Sequence, residues 1–245
     1  MDEVEVVVAH RERATLRVGG VFLKVDADQD RTDREVAAMA LAPVPTPEVL
    51  WRNAPVLALA AVAGVALGRL GRPQAGPPPA WTAAGAALRR LHEAPLPPWP
   101  GRDRRSVEAE LDRQCRRLTD HDVLPAGLVT RNRQVAEAAL GPWTPVFTHG
   151  DLQSAHVFVR GGEVTGIIDW SEAGPGDAMS DLATLTLGRE ERLTDVVAGY
   201  GAPVDLDVVR GWWSLRSLCA VPWLIEHGFD PFAPGCEVDV LRAQA

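Results

Sequence analysis

The chain has 245 residues, enough for one large domain or two small lobes with a sizeable core. A hydrophobic share of 46% and a charged share of 24% exclude disorder for the bulk of the chain. A net charge of −8 excludes nucleic acid as a bulk partner, because a phosphate backbone needs a basic face, and is compatible with a cationic small substrate.

Residues 4–8 and 14–18 read as strands, Gly19-Gly20 as a two-residue hairpin turn and 21–25 as a third strand. Residues 32–41 read as a helix that Pro43, Pro45 and Pro47 terminate. Residues 49–51 and 55–60 read as two more strands about a turn at Arg52-Asn53. The Gly- and Pro-rich stretch 64–79 reads as a linker. A helix follows over 81–93, with Leu88 and Leu91 on one face, then a rigid break over 95–100. Residues 103–118 form an amphipathic helix with Val107, Leu111, Cys115 and Leu118 at helical spacing. Another helix is expected over 131–140. Short β-branched runs follow at 145–147, 157–159 and 164–168, the last two joined by Gly161-Gly162. Residues 181–187, 191–200 and 206–227 read as helices.

The layout is α+β: a small antiparallel β lobe with its hinge over 1–62, and a larger, mainly helical lobe over 63–245. A cleft between two lobes is a usual place for a ligand. The uncharged run 54–68 is too short for a bilayer, which needs about 20 apolar residues, and reads as a buried strand with its connection. The start lacks the basic region and cleavage site of a signal peptide, and three scattered cysteines make neither a disulfide framework nor a paired metal motif. A reducing, cytoplasmic location is expected.

Of the 25 basic residues, Lys24 is the single lysine. A compact ammonium fits between phosphate oxygens where a planar guanidinium fork does not, so a lysine kept in an arginine-biased chain is a candidate phosphate ligand; one leftover lysine is the plain alternative. The second signal is Thr148-His149-Gly150-Asp151-Leu152-Gln153-Ser154-Ala155-His156, followed by Gly166-Ile167-Ile168-Asp169-Trp170. A hairpin between the two halves would bring Asp151, His156 and Asp169 to one end. Two carboxylates and an imidazole there suit a hard cation with positions left for phosphate oxygens.

This segment resembles the catalytic and metal-binding loops of aminoglycoside phosphotransferases and their protein-kinase-like relatives. His149-Gly150-Asp151, Ile168-Asp169-Trp170 and the Gly176-Asp177…Asp181-Leu182-Ala183 stretch match the family pattern, and Leu88 to His92 is similar to a family helix end. His156 stands where most members carry Asn, as it does in macrolide phosphotransferases, and Ala178 replaces a usual Pro. The resemblance implies a bilobal protein-kinase-like fold and transfer of the γ-phosphate of ATP or GTP to a hydroxyl of a small molecule, an aminoglycoside- or macrolide-like antibiotic among the candidates. It implies Asp151 as catalytic base, and Asp169 with His156 as ligands of Mg2+, Mn2+ being tolerated. His149 and Asp181 would support the catalytic loop. Lys24 would contact the triphosphate, and the backbone near Ala60 and Val62 would meet the purine. Glu35 would hold Lys24, with Asp33 in reserve. A second reading of Glu35 is open, because Thr32-Asp33-Arg34-Glu35 is also a capping box.

A glycine-rich loop is missing: residues 8–14 join the first two strands, and His10, Arg11 and Arg13 are either phosphate contacts or exposed turn residues. Trp212, Trp213 and Trp223 fall in the expected acceptor-binding region, with Trp212 and Trp223 either lining a pocket or packing in the core. The competing readings are a kinase-like binding module without turnover, a metabolite kinase and a zinc metallohydrolase; the last leaves Lys24 and the β lobe without a role.

Overall fold

The computed structural model describes residues 3–9, 13–72 and 76–244. His10 and Arg11 lie outside them. The smaller lobe is a five-stranded antiparallel sheet, with β1 (Val4–Ala9), β2 (Arg13–Val18), β3 (Val21–Asp26), β4 (Val49–Asn53) and β5 (Val56–Ala60) in the order β1-β2-β3-β5-β4. Gly19, at φ 55°, makes the tight turn between β2 and β3. The turn between β4 and β5 falls at Ala54-Pro55, joined by a cis bond, so Arg52 and Asn53 belong to β4.

Helix α1 (Gln29–Leu41) starts three residues before the expected Thr32. Its cap is Asp28, whose carboxylate accepts the Arg31 N–H at 3.1 Å. The first turn, Gln29-Asp30-Arg31, is wholly polar, so hydrophobic periodicity gives no sign of it. The earlier start places Glu35 in the second turn, beyond reach of the capping role that Thr32 suggested.

The larger lobe holds β6 (Val65–Ala66), α2 (Pro78–Glu93), α3 (Arg104–Asp120), α4 (Ala126–Ala139), β7 (Val146–Thr148), β8 (Val157–Arg160), β9 (Glu163–Ile167) and β10 (Gly174–Gly176). It ends with α5 (Ala178–Thr186), α6 (Glu190–Tyr200), α7 (Leu206–Glu226) and α8 (Glu237–Ala243). Strands β6, β8 and β9 form one small sheet, and β7 and β10 another. The stretch expected as an open linker thus contributes β6, whose two residues pair with β8. Helix α4 starts five residues earlier than expected, behind Pro125, and α8 is a helix where none was expected.

Helices pack in pairs, α2 on α6 and α4 on α7, with α3, α5 and α8 also resting on α7. The α2–α6 approach requires glycine on both sides. A Cβ at Gly85 would lie 2.1 Å from the Val196 carbonyl, and one at Gly199 would lie 1.8 Å from that of Thr82. The lobes share one continuous core, in which Leu57 and Met39 of the smaller join Leu67, Trp81 and Ile167 of the larger. Between the lobes, the Ile167 N–H donates to Pro45 O at 2.8 Å, and α1 packs against the turn at 170–172. Among the described residues no helix is long and apolar enough to cross a membrane.

Candidate active site

The crevice between the lobes is built from three backbone devices. The first is the turn that leaves β7. Gly150 has φ +82°, and a Cβ there would lie 2.2 Å from the Glu172 carbonyl, so the position excludes any side chain. The second is Asp181, in the first turn of α5 and fully buried. Its carboxylate accepts the N–H groups of His149 at 2.7 Å and Gly150 at 3.0 Å. His92, at the end of α2, donates to the same carboxylate at 3.3 Å, and its Nδ1 shares a hydrogen bond with the Tyr200 hydroxyl at 3.0 Å. The third is Asp169, a non-glycine residue in the left-handed region at φ 65°, ψ 64°; such strain concentrates at functional sites.

His149 is buried, which pushes its pKa below the usual imidazole value despite the opposing charge of Asp181. The ring is therefore neutral, and its contacts fix the tautomer. Nε2–H donates to Ile168 O at 3.0 Å, and Nδ1 accepts the Asp151 N–H at 3.3 Å. His149 also packs on Trp170, ring centroids 4.7 Å apart. It thus links the 149–151 turn to the segment that carries Asp169.

Lys24, on β3, crosses the crevice. Its ammonium donates to Glu35 of α1 at 2.6 and 2.8 Å and to Asp169 Oδ1 at 2.8 Å. Burial alone would lower the lysine pKa; Asp169 and Glu35 outweigh it and hold the pKa above the ordinary value. Burial would also raise Asp169, but Lys24 and His156 reverse this and hold its carboxyl well below the usual range. Glu35 goes the other way: burial raises it, and Lys24 offsets only part of that. Asp33, the reserve partner, pairs instead with Arg52.

His156 closes a 3₁₀ turn over Ser154–His156. Its Nδ1 lies 2.8 Å from Asp151 O, a carbonyl that can only accept, so Nδ1 carries a proton. The other ring nitrogen, Nε2, faces Asp169, whose Oδ2 is 4.0 Å away. A backbone carbonyl fixing one ring nitrogen while the other faces outward is the usual posture of a ligating histidine. Asp151, His156 and Asp169 offer one ligand atom each, all within 4.8 Å of one another. Two carboxylates and one imidazole make a donor set acceptable to Mg2+ or Mn2+.

Asp151 has company that the sequence did not announce. Gln153 Nε2 donates to its Oδ1 at 3.2 Å and Oδ2 at 3.0 Å, and Arg216 Nη2, from α7, donates to Oδ1 at 2.6 Å. Gln153 lies inside the segment singled out, and His92 inside a segment quoted for its resemblance. Arg216 is separated from Asp151 by 65 residues, and no local pattern marks it.

The remaining candidates sit apart from this cluster. The Ala60 N–H donates to Glu48 O at 2.9 Å, which limits any ligand contact there to its carbonyl, and the Val62 side chain packs over Gly166. Arg13 shares the β2–β3 face with Lys24, through Thr15 paired with Lys24 and Arg13 with Asp26. Its charge reaches both Glu35 and Asp169. Trp212 and Trp213 are buried core residues, their indole N–H groups donating to Asp177 and Ala183 at 2.9 Å each. Trp223 is exposed and stacks on His227, centroids 4.0 Å apart.

Comparison with known proteins agrees with this architecture. No curated protein sequence matches the chain. Among solved structures, the GDP complex of an aminoglycoside 2'-phosphotransferase superposes with a TM-score of 0.73 at 18% identity, covering 100% of this chain and 92% of the other. A type I macrolide 2'-phosphotransferase gives 0.71 at 17% identity, covering 100% and 90%. A choline/ethanolamine kinase family protein from Mesorhizobium loti gives 0.68 at 21% identity, covering 99% and 85%. These likenesses establish a bilobal, protein-kinase-like fold with a small antiparallel lobe and a larger helical one. The family model described as "Phosphotransferase enzyme family" matches residues 8–212, most of the chain, and the chain therefore belongs to that family.

Proposed function

We propose that the protein transfers the γ-phosphoryl group of ATP or GTP to a hydroxyl of a small molecule. The observation that carries this reading is Lys24, held between Glu35 at 2.6 Å and Asp169 at 2.8 Å, with Asp151 and His156 beside Asp169. A cation from the β lobe thereby stands over a carboxylate–imidazole cluster of the helical lobe, as phosphoryl transfer by positioning and charge neutralisation requires. Residues 1–62 would form the nucleotide lobe and 63–245 the catalytic and acceptor lobe. The Ala60 carbonyl and the backbone at Val62 would meet the purine.

Asp169 and His156 would hold Mg2+ or Mn2+. When bound, the cation supplies positive charge that neutralises the phosphate oxygens. Lys24 adds a second positive charge, and Glu35 keeps its ammonium in place. The acceptor oxygen forms a bond to the γ-phosphorus, the bond from that phosphorus to the bridging oxygen breaks, and nucleoside diphosphate leaves. Asp151 takes the hydroxyl proton. His149 and Asp181 hold the loop that carries Asp151.

Asp151→Asn tests the assignment. Removing a general base lowers turnover by about 10²- to 10⁴-fold. Nucleoside diphosphate release should fall by that factor while binding of the Mg–nucleotide, read by calorimetry, stays near wild type. Undiminished turnover in this variant would refute the role of Asp151. A binding module without turnover would instead show nucleotide binding and no diphosphate release with any acceptor.

A further inference from the structure

Both oxygens of the Asp151 carboxylate are engaged before any acceptor arrives, Oδ1 by Arg216 at 2.6 Å and by Gln153, and Oδ2 by Gln153 at 3.0 Å. A base that must receive a hydroxyl proton needs at least one of them released. Gln153 is two residues away and neutral, whereas Arg216 comes from α7, across the acceptor side of the crevice, and carries a full charge. Among the described residues its one hydrogen bond goes to Asp151. Its Nε is buried and has no hydrogen-bond partner, so the guanidinium fork is half used. A buried N–H without a partner is costly, and a planar fork is shaped for two oxygens of one anion.

Two carboxylates behind the loop offer little to a cationic ligand. Asp181 is fully buried and taken by backbone N–H groups, and Asp177 is taken by Met179 and Trp212. Around Cys219, one turn beyond Arg216 on α7, the surroundings are basic. Burial pushes that thiol up to about 12 against the opposing positive charges of Arg102, Arg216 and Arg113. Besides Asp151, the Glu237 carboxylate lies within electrostatic reach of Arg216, and burial holds its pKa above the ordinary value. Three arginines, Arg102, Arg113 and Arg216, thus place positive charge about this stretch of α7, although the chain as a whole carries −8.

We propose that Arg216 is the acceptor-recognition residue and that the acceptor is anionic, carrying a carboxylate or phosphate near the hydroxyl to be phosphorylated. This rests on the phosphotransferase reading above and sharpens it. The acceptor's anion takes the Arg216 fork, including the unused Nε, and so frees Asp151 Oδ1 for the hydroxyl. An amino-sugar polycation would leave Arg216 on Asp151 and meet its positive charge directly. Arg216 thus couples acceptor binding to release of the base.

The test uses the full-length protein with Mg–ATP and Mg–GTP and three sets of hydroxyl compounds: hydroxy acids such as serine and glycerate with the phosphate ester glycerol 3-phosphate, neutral polyols, and amino sugars. Diphosphate release should be confined to the anionic set, and comparison of carboxylates with the phosphate ester tells which anion is read. Arg216→Ala should raise the acceptor KM by at least tenfold, with partial recovery in Arg216→Lys. In parallel, inorganic phosphate is titrated into the wild type and Arg216→Ala, each saturated with a non-transferable Mg–triphosphate analogue. Binding to the wild type should be at least tenfold tighter. Preference for amino sugars or polyols, or equal phosphate binding by the two proteins, overturns the anionic acceptor while leaving phosphoryl transfer intact. Failure of the protein to bind either Mg–nucleotide overturns the phosphotransferase reading itself.

Discussion

Asp181→Asn isolates what holds the turn at 149–151, because it changes one atom's chemistry at a site with no exposure to water. The native carboxylate accepts from two consecutive backbone N–H groups at 2.7 and 3.0 Å and from His92 at 3.3 Å. An amide has one acceptor oxygen, so whichever way it is turned, its NH2 group confronts a backbone donor. The loss is one charge-assisted hydrogen bond, worth about 2 kcal/mol, plus a buried N–H left without a partner, about 2 kcal/mol more. A total near 4 kcal/mol is a large share of the roughly 5–15 kcal/mol that holds most domains folded. In urea, with a slope near 3 kcal/mol per molar, the midpoint should fall by about 1.3 M. Turnover should drop further than stability accounts for, since a displacement of about 1 Å at a reacting group costs around 10²-fold. A midpoint shift below about 0.3 M, or turnover within about threefold of wild type in the folded variant, would show that Asp181 does not hold the loop.

Three further outcomes follow from the same geometry. Gly150→Ala forces a Cβ to within 2.2 Å of the Glu172 carbonyl at φ +82°, so the loop must shift; diphosphate release should fall by about 10²-fold while circular dichroism keeps its helical content. Lys24 has a raised folded-state pKa, so the stability it contributes is fully present below its unfolded value, about 10.4, and is lost as pH rises through the folded one. Asp169 has a depressed pKa, so its contribution is present above about 3.9 and is lost as pH falls through the folded value. Thermal melts of the wild type should therefore decline at both ends of the pH range. Lys24→Met should be less stable at neutral pH by about 3 kcal/mol or more, as for a buried ion pair left with one partner, and should lack the part of the alkaline decline due to Lys24. A variant whose melting curve runs parallel to wild type above pH 10 would remove Lys24 from that account.

What the sequence disclosed, and what it withheld, divides by range of interaction. The β2–β3 hairpin was legible because alternation and Gly19-Gly20 are local signals, and the helix over 104–120 because Val107, Leu111, Cys115 and Leu118 mark one buried face. The first turn of α1 was not, since Asp28 caps a wholly polar turn. Strand β6 consists of two residues that become a strand only by meeting β8. Asp151, His156 and Asp169 could be expected to meet, as they do, because they lie on two neighbouring segments of chain. Lys24 was singled out by its rarity, and Glu35 as its partner by the family resemblance. The backing of the site escaped for one reason: His92 reaches Asp181 over 89 positions and Arg216 reaches Asp151 over 65, and neither distance leaves a trace in local composition.

That division bears on how such a site is built. The residues proposed to meet phosphate and metal come from short, strained, locally encoded turns: Gly150 in the left-handed region, Asp169 beside it and a 3₁₀ turn ending at His156. None of these turns is stable alone, because each leaves backbone N–H groups that need acceptors. The helices supply partners from a distance: Asp181 accepts from the loop's N–H groups, and Arg216 donates to its carboxylate. Chemistry at the turn can therefore stay constant while the helices vary. On that view α7, through Arg216, is where this chain sets which hydroxyl compound reaches Asp151, and exchanging that one side chain should change acceptor preference before it changes the use of nucleotide.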